Sequence, residues 1–278
     1  MENENDMSLQ NKTIAFIGAG NMGEALVRGL LAAKAVSASQ IIVTDVRAER
    51  RAFLAKTFGV RAINDNAEAA RAADIVLLAV KPQQMSEVLA GVKSAMSAAK
   101  LVVSIAAGVT TARIEREIGG RTRVVRVMPN TPALVGAGAA ALAKGVYATD
   151  DDLATAGSIL GAVGIWVRVE EKSLDAVTAL SGSGPAYVFY VAEAMIKGGV
   201  AAGLDAALAK KLAIQTVYGA AKLLAESGEE PELLRRNVTS PGGTTEAALK
   251  VMSERKLEEI FAAAIKAAEK RSRELSGS

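Results

Sequence analysis

Two glycine-rich turns carry the residue types and spacing that suit chemistry: Gly18-Ala19-Gly20-Asn21-Met22-Gly23 and Ser240-Pro241-Gly242-Gly243-Thr244-Thr245. Each leads into a segment of helix-forming residues, and the free N–H groups of a helix start attract anions. In the first turn Gly18 permits a tight bend, Gly20 lets a pyrophosphate approach the backbone with no Cβ in the way, and Gly23 lets the helix pack closely on the strand Thr13 to Ile17. A bare strand-to-helix turn with no ligand fits the same residues, so the surrounding elements must decide. In the second turn the N–H groups of Thr244 and Thr245 form an anion site sized for a carboxylate, with the Thr245 hydroxyl beside it. A helix cap built from Thr244 and the glycines also accounts for that stretch.

The chain contains no His and no Cys. That removes disulfides, thiolate nucleophiles, Ser/His/Asp triads and the usual zinc sites, and no metal is expected. The 33 basic and 30 acidic residues are interspersed and leave a net charge of only +3. With no aromatic residues interleaved among basic ones, nothing points to nucleic acid. The start of the chain is acidic and polar where a signal peptide is basic then apolar, and no apolar run reaches membrane-spanning length. These features predict a cytoplasmic protein with no membrane partner and a disordered N-terminus over residues 1–12.

The elements around the first turn alternate. Glu24 to Ala33 reads as a helix, Gln40 to Thr44 as a buried strand, Val60 to Ile63 as a short segment and Asn66 to Ala73 as a helix. Asp74 to Val80, Leu101 to Ile105 and Arg123 to Val127 read as further strands, and Trp166 to Glu170 as a last short one. Strands separated by helices predict parallel crossovers and an α/β doubly wound sheet. Asp45 closes the second strand 22 residues after Gly23. An acid at that place accepts hydrogen bonds from adenine ribose hydroxyls and repels a 2′-phosphate. Arg47, Arg50 and Arg51 follow it and could instead pair with such a phosphate, or Asp45 could cap the next helix. Every cluster of small or turn-forming residues in this half follows a strand: GAGNMG, TD, AVKPQ, IAAGVT and MPNTPALVGAG. Ligands of open α/β sheets bind along that carboxyl edge. A dinucleotide is therefore predicted, with its nicotinamide end near Val80, Lys81, Pro82, Ala106 and the loop Met128 to Pro132.

From Lys172 onward helical periodicity replaces the strand signal. The reading is a Rossmann domain over 13–170 and a helical domain over 171–278. Pro185 stands just inside a long helix, with Ser183 as its cap and SGSGPAY as a packing device. Helices follow at Leu208 to Leu224 and Lys256 to Glu274. They are too apolar and alanine-rich to be covered by so small a domain, which predicts self-association through this half.

Taken together, GAGNMG (18–23), DIVLLAVKPQ (74–83), SIAAGVT (104–110), VRVMPNTPALVGAG (125–138), SGSGPAY (181–187) and NVTSPGGTTEAAL (237–249) resemble pyrroline-5-carboxylate reductase over residues 13 to about 270. The resemblance implies an N-terminal Rossmann domain, an all-helical dimerisation domain, and reduction of a cyclic imine carboxylate to L-proline. It implies a homodimer, with decamers as a further assembly, and an active site between the cofactor edge and the partner chain's helices. By the same resemblance Gly18, Ala19, Gly20, Asn21, Met22 and Gly23 hold the pyrophosphate and Asn66 lies at the adenosine ribose. Ala79, Val80, Lys81 and Pro82 border the nicotinamide half. Ser240 and the backbone of Gly243, Thr244 and Thr245 grip the substrate carboxylate, and the Thr245 hydroxyl, the catalytic assignment, hydrogen-bonds the ring nitrogen. Family members often favour NADPH and commonly lack an acid at Asp45, so with Asp45 and Arg47 both present the cofactor is NADP(H) or NAD(H). Gly228 stands where some members carry a carboxylate, which leaves the role of Glu229 open.

Imine reduction needs no His or Cys, because a substrate that binds protonated brings its own proton and positioning does the rest. A β-hydroxyacid dehydrogenase wants a lysine base on the first long helix of its second domain, and here none precedes Lys197. A related imine or ketimine reductase fits the same motifs. A dinucleotide sensor without turnover would bind the cofactor and show no oxidation with any imine, and the chain carries neither a DNA-reading motif nor a basic stripe.

Overall fold

A computed structural model describes residues 9–276. Its sheet comprises β1 (Ile14–Ile17), β2 (Ile41–Thr44), β3 (Arg61–Ile63), β4 (Ile75–Leu78), β5 (Leu101–Ser104), β6 (Arg123–Met128), β7 (Gly138–Lys144) and β8 (Gly164–Arg168), in the order β3-β2-β1-β4-β5-β6-β7-β8. The first six strands are parallel. In β1, β2, β4 and β5 every residue is buried, as continuous apolar runs such as IAFI and IVLL require when helices cover both faces. The covering helices are α1 (Asn21–Ala32), α2 (Ala48–Phe58), α3 (Asn66–Ala72), α4 (Met85–Val92), α5 (Thr111–Ile118) and α6 (Asp150–Gly161). Alternate strand residues feed two cores. Ile14, Phe16, Val43, Leu77 and Val103 meet Leu26 and Leu30 of α1 and Ile159 of α6. Ala15, Ile17, Val76, Leu78 and Val102 meet Ala69 of α3, Leu89 of α4 and Ile114 of α5.

The expected doubly wound α/β class holds, with differences in detail. β7 pairs antiparallel with β6 and parallel with β8. Its sequence, GAAALAK, is rich in a strong helix former, and only the open edge of the sheet makes it a strand. The last strand sits two residues earlier than 166–170 because Gly164, at φ +154°, crosses Gly138 so closely that an added Cβ would lie 2.0 Å from its carbonyl oxygen. Next to it Trp166 lies over α6 at Gly157, where a Cβ would come within 2.4 Å of the indole. Residues 1–8 of the predicted disordered start lie outside the described residues. Residues 9–12 are not disordered: Leu9 is buried, and the Gln40 side-chain amide donates to the carbonyls of Leu9 and Lys12.

The helical half contains α7 (Leu174–Val177), a π turn over Thr178–Gly182, α8 (Gly184–Ala201), α9 (Ala206–Ser227), α10 (Pro231–Asn237), α11 (Thr244–Glu254) and α12 (Leu257–Ser276). Ser183 caps no new helix. Its backbone is helical and its N–H donates to the Thr178 carbonyl, closing the π turn. The chain divides into two compact units, residues 9–183 with 268–276 and residues 184–267, rather than at 170/171. The difference arises because α7, the π turn and the end of α12 pack with the sheet unit, where Ser272 Oγ lies 2.6 Å from Asp175 Oδ1. Within the second unit Asp205 caps α9 through the N–H groups of Ala207 and Leu208, and small residues join α8 to α9 at Gly199 and Ala209. Phe189 and Tyr190 of α8 are 62% and 71% exposed, and Leu212 and Tyr218 of α9 are exposed as well.

Candidate functional site

Parallel strands place all their carboxyl ends on one edge, and the strand order reverses between β1 and β4, where a dinucleotide crevice opens in such sheets. There the three glycines of the first turn divide the work. Gly18 has φ +89°, its N–H donates to the Thr44 carbonyl at 3.1 Å, and a Cβ on it would strike Val80 Cγ1 at 2.8 Å. Around Gly20 nothing lies within 4 Å of an added Cβ, so an incoming group meets bare backbone. At Gly23 a Cβ would sit 3.0 Å from the Gly18 carbonyl oxygen, which shows how tightly α1 packs on the turn. Gly20 is the N-cap of α1 and supplies no side-chain acceptor to its first N–H groups. Gly18→Ala is expected to cost about 1–3 kcal/mol from the backbone conformation alone. A lowered urea midpoint with an unchanged slope is the measurement that checks it.

Beside the turn is a cleft of about 400 Å³ whose lining includes Gly18, Gly20, Asp45, Arg47, Asn66, Ala79, Val80 and Lys81. Eight sequence-predicted residues thus converge on one space; Ala19, Asn21, Met22, Gly23 and Pro82 flank it without lining it. Pro82 opens the short turn Pro82–Gln84 that leads into α4. Sequence reasoning missed Gln84, Glu87, Val88 and Gly91, which also line the cleft. Their spacing puts them on one face of α4 and its leading turn, a signal open to sequence inspection. Thr44 was missed too; its hydroxyl donates to Asn66 Oδ1 at 2.6 Å and so orients that amide toward the cleft wall.

Asp45 is the charged centre of this cleft. Its carboxylate accepts from Arg47 Nε at 2.9 Å, the Arg47 N–H at 3.0 Å and the Ala19 N–H at 3.3 Å, and its side chain is only 8% exposed. Burial pushes the carboxyl upward, but the Arg47 hydrogen bonds and charge, with the Ala19 N–H, outweigh it and hold Asp45 below the usual value. Asp45 does not cap α2, whose N-cap is Arg47. Arg50 and Arg51 are not free for a phosphate either. Arg51 donates to the carbonyls of Asp45 and Val46 and to Asn64 Oδ1, and Arg50 to the carbonyls of Ala19 and Gly20.

The second turn lies in the second unit. The Gly243 N–H donates to the Ser240 carbonyl at 3.0 Å, with Pro241 and Gly242, at φ +70°, as the central residues of the turn. A Cβ at Gly243 would lie 2.5 Å from Ser240 Oγ, so the turn needs glycine there as well. Gly243, not Thr244, is the N-cap of α11, and no side chain caps the helix. The cap expected from Thr244 is absent because Thr244 is already the first helical residue. The Thr244 and Thr245 N–H groups therefore point out of an uncapped helix start, beside a partly exposed Thr245. Glu246 reaches back to the Gly242 N–H at 2.7 Å and braces the turn from the far side.

Residues 171–275 match the sequence profile of the family described as pyrroline-5-carboxylate reductase dimerisation, and residues 13–108 match that of NADP oxidoreductase, coenzyme F420-dependent. The chain is 45% identical to the pyrroline-5-carboxylate reductase of Synechocystis sp. over 97% of its own length and 99% of the relative's. The solved pyrroline-5-carboxylate reductase of Coxiella burnetii superposes with a TM-score of 0.92 at 42% identity, covering 95% of this chain and 98% of that one. The Plasmodium falciparum pyrroline carboxylate reductase, solved with NADP bound, gives 0.83 at 31% identity, covering 96% and 98%.

Proposed function

The chain belongs to the pyrroline-5-carboxylate reductase family, an NAD(P)H-dependent oxidoreductase acting at the last step of proline biosynthesis, and from that premise we propose how its residues divide the reduction of 1-pyrroline-5-carboxylate to L-proline. The turn Gly18 to Gly23 and the N-terminus of α1 seat the pyrophosphate, Asp45, Arg47 and Asn66 face the adenosine ribose, and Ala79 to Pro82 border the nicotinamide half. The open backbone at Gly20 and the adjoining cleft are what make the group fit here. When bound, NAD(P)H supplies the hydride.

The substrate is a cyclic imine carrying a carboxylate. The N–H groups of Thr244 and Thr245, with Ser240, hold that carboxylate, and the Thr245 hydroxyl oxygen accepts from the protonated ring nitrogen. As hydride adds to the imine carbon, the C=N π pair moves onto nitrogen, which already carries its proton, and no general acid is required. Thr245 orients the bond that is reduced, and orientation is where most of the rate comes from. The observation that carries this assignment is the uncapped start of α11, two donors aimed outward with a hydroxyl beside them. Following the loss of NADH and NADPH absorbance separately with 1-pyrroline-5-carboxylate tests it; no loss with either overturns the reading.

Self-association through the helical region follows from the dimerisation family it matches. A homodimer able to build decamers, located in the cytoplasm, completes the proposal; among the described residues no helix is long and apolar enough to cross a membrane. Phe189→Asp, which puts a charge on the exposed apolar face of α8, is expected to raise the dimer dissociation constant on the order of tenfold or more. Light scattering across a dilution series reads that shift.

A further inference from the structure

We propose that Arg50 is a positioning residue for the dinucleotide, a fork that sets the direction of the pyrophosphate-binding N–H groups from behind the turn. The inference rests on the reading of Gly18 to Gly23 as the pyrophosphate seat. Arg50 projects from the first turn of α2, with its guanidinium 5.3 Å from the ring centre of Phe53 on the same helix. Its Nε donates to the Ala19 carbonyl at 2.6 Å, and its Nη2 lies 3.3 Å from the Gly20 carbonyl and 2.5 Å from Glu24 Oε2. The side chain is only 17% exposed, so these contacts are made largely out of water.

Two consequences follow from elementary geometry and charge. A trans peptide directs its N–H opposite to its C=O. Drawing the Ala19 carbonyl toward α2 therefore turns the Gly20 N–H the other way, and Arg50 adds a second donor to the Gly20 carbonyl, which also accepts the Glu24 N–H at 2.9 Å, so the Asn21 N–H is held away from α2 by both. The planar guanidinium can grip two oxygens at once, which a lysine ammonium does less well. The second consequence is electrostatic. Glu24 stands in the first turn of α1, the helix end that must receive a doubly charged pyrophosphate. Unpaired, that carboxylate would repel the ligand; Arg50 neutralises it at short range. Arg28 also touches Glu24, at 3.5 Å through the other oxygen, but is half exposed and contributes less.

Titrating NADH fluorescence against the full-length protein separates this role from a general packing one. Arg50→Met is expected to raise the NADH dissociation constant about tenfold, while the KM for the imine at saturating NADH stays within about twofold of wild type. Arg50→Lys, which keeps the pair with Glu24 but loses the fork, falls between. The double variant Arg50→Met/Glu24→Gln binds NADH more tightly than Arg50→Met alone, because the stranded carboxylate is gone. Unimpaired binding by Arg50→Met overturns the clamp, as does a double variant no better than the single one with the imine KM raised in parallel. A wild-type chain that bound neither NADH nor NADPH would instead sink the pyrophosphate seat itself.

Discussion

Thr245→Val is expected to lower kcat/KM for 1-pyrroline-5-carboxylate by roughly 10- to 100-fold, the equivalent of about 1.5–3 kcal/mol for a hydrogen bond to a charged group. Valine keeps the β-branched shape at the second position of α11, so the helix start and its two N–H groups remain. What disappears is the hydroxyl proposed to accept from the protonated ring nitrogen. Since the carboxylate grip survives, most of the loss falls on kcat, and Thr245→Ser recovers most of it. Steady-state kinetics with saturating NADH and a substrate titration decide the matter. Normal turnover with normal affinity in Thr245→Val would remove Thr245 from the reaction.

Asp45→Asn is expected to move the ratio of kcat/KM for NADPH over NADH upward on the order of 100-fold. In wild type the carboxylate is fixed by four donors, the Ala19 and Arg47 N–H groups and Nε and Nη2 of Arg47, and is ionised throughout the neutral range. On the proposed reading it would accept from a ribose 2′-hydroxyl and oppose a 2′-phosphate; two unit charges about 4 Å apart at a surface-like dielectric interact by about 4 kcal/mol. The arginines placed to offset this are committed: Arg47 to Asp45 itself, Arg50 to the carbonyls of Ala19 and Gly20 and to Glu24, and Arg51 to the carbonyls of Asp45 and Val46. Wild type should accordingly prefer NADH. Asparagine removes the charge, keeps an acceptor for the Ala19 N–H and releases Arg47 toward the phosphate. The preference for NADH should persist into mildly acidic buffer. Because the folded-state pKa of Asp45 is lowered, the stabilisation from its partners is fully present above the ordinary aspartate range and is lost only as pH falls through that depressed value. Initial rates with each cofactor from neutral to mildly acidic pH check both statements.

Much of the cleft beside the first turn was legible because its parts are local. A buried strand, a glycine at positive φ and an acid at a strand end are each written within a few residues, and parallel pairing alone then brings them to one edge. Contacts whose partners are distant in the chain were not legible. Arg50 looks no different from Arg47 and Arg51 in sequence, yet those two find partners within a few residues at Asp45 and Val46, and only the approach of α2 to the first turn gives Arg50 the carbonyls of Ala19 and Gly20 and the carboxylate of Glu24. β7 was hidden for a related reason, since alanines carry no strand preference and the open edge of β6 decides their conformation. The face of α4 was within reach of periodicity, while at the second turn sequence alone did not show that Gly243 rather than Thr244 takes the N-cap position of α11.

Trp166 is the sole tryptophan, and its indole rests on Gly157 at the β8 edge of the sheet unit. The intrinsic tryptophan emission of the whole chain is therefore the emission of one seam, and the helices from Gly184 to Ala267 contribute none of it. Far-ultraviolet ellipticity, by contrast, draws heavily on those helices. Melting the protein while recording both signals compares the two units without a label, and the spread between the two midpoints gauges how far they unfold as one.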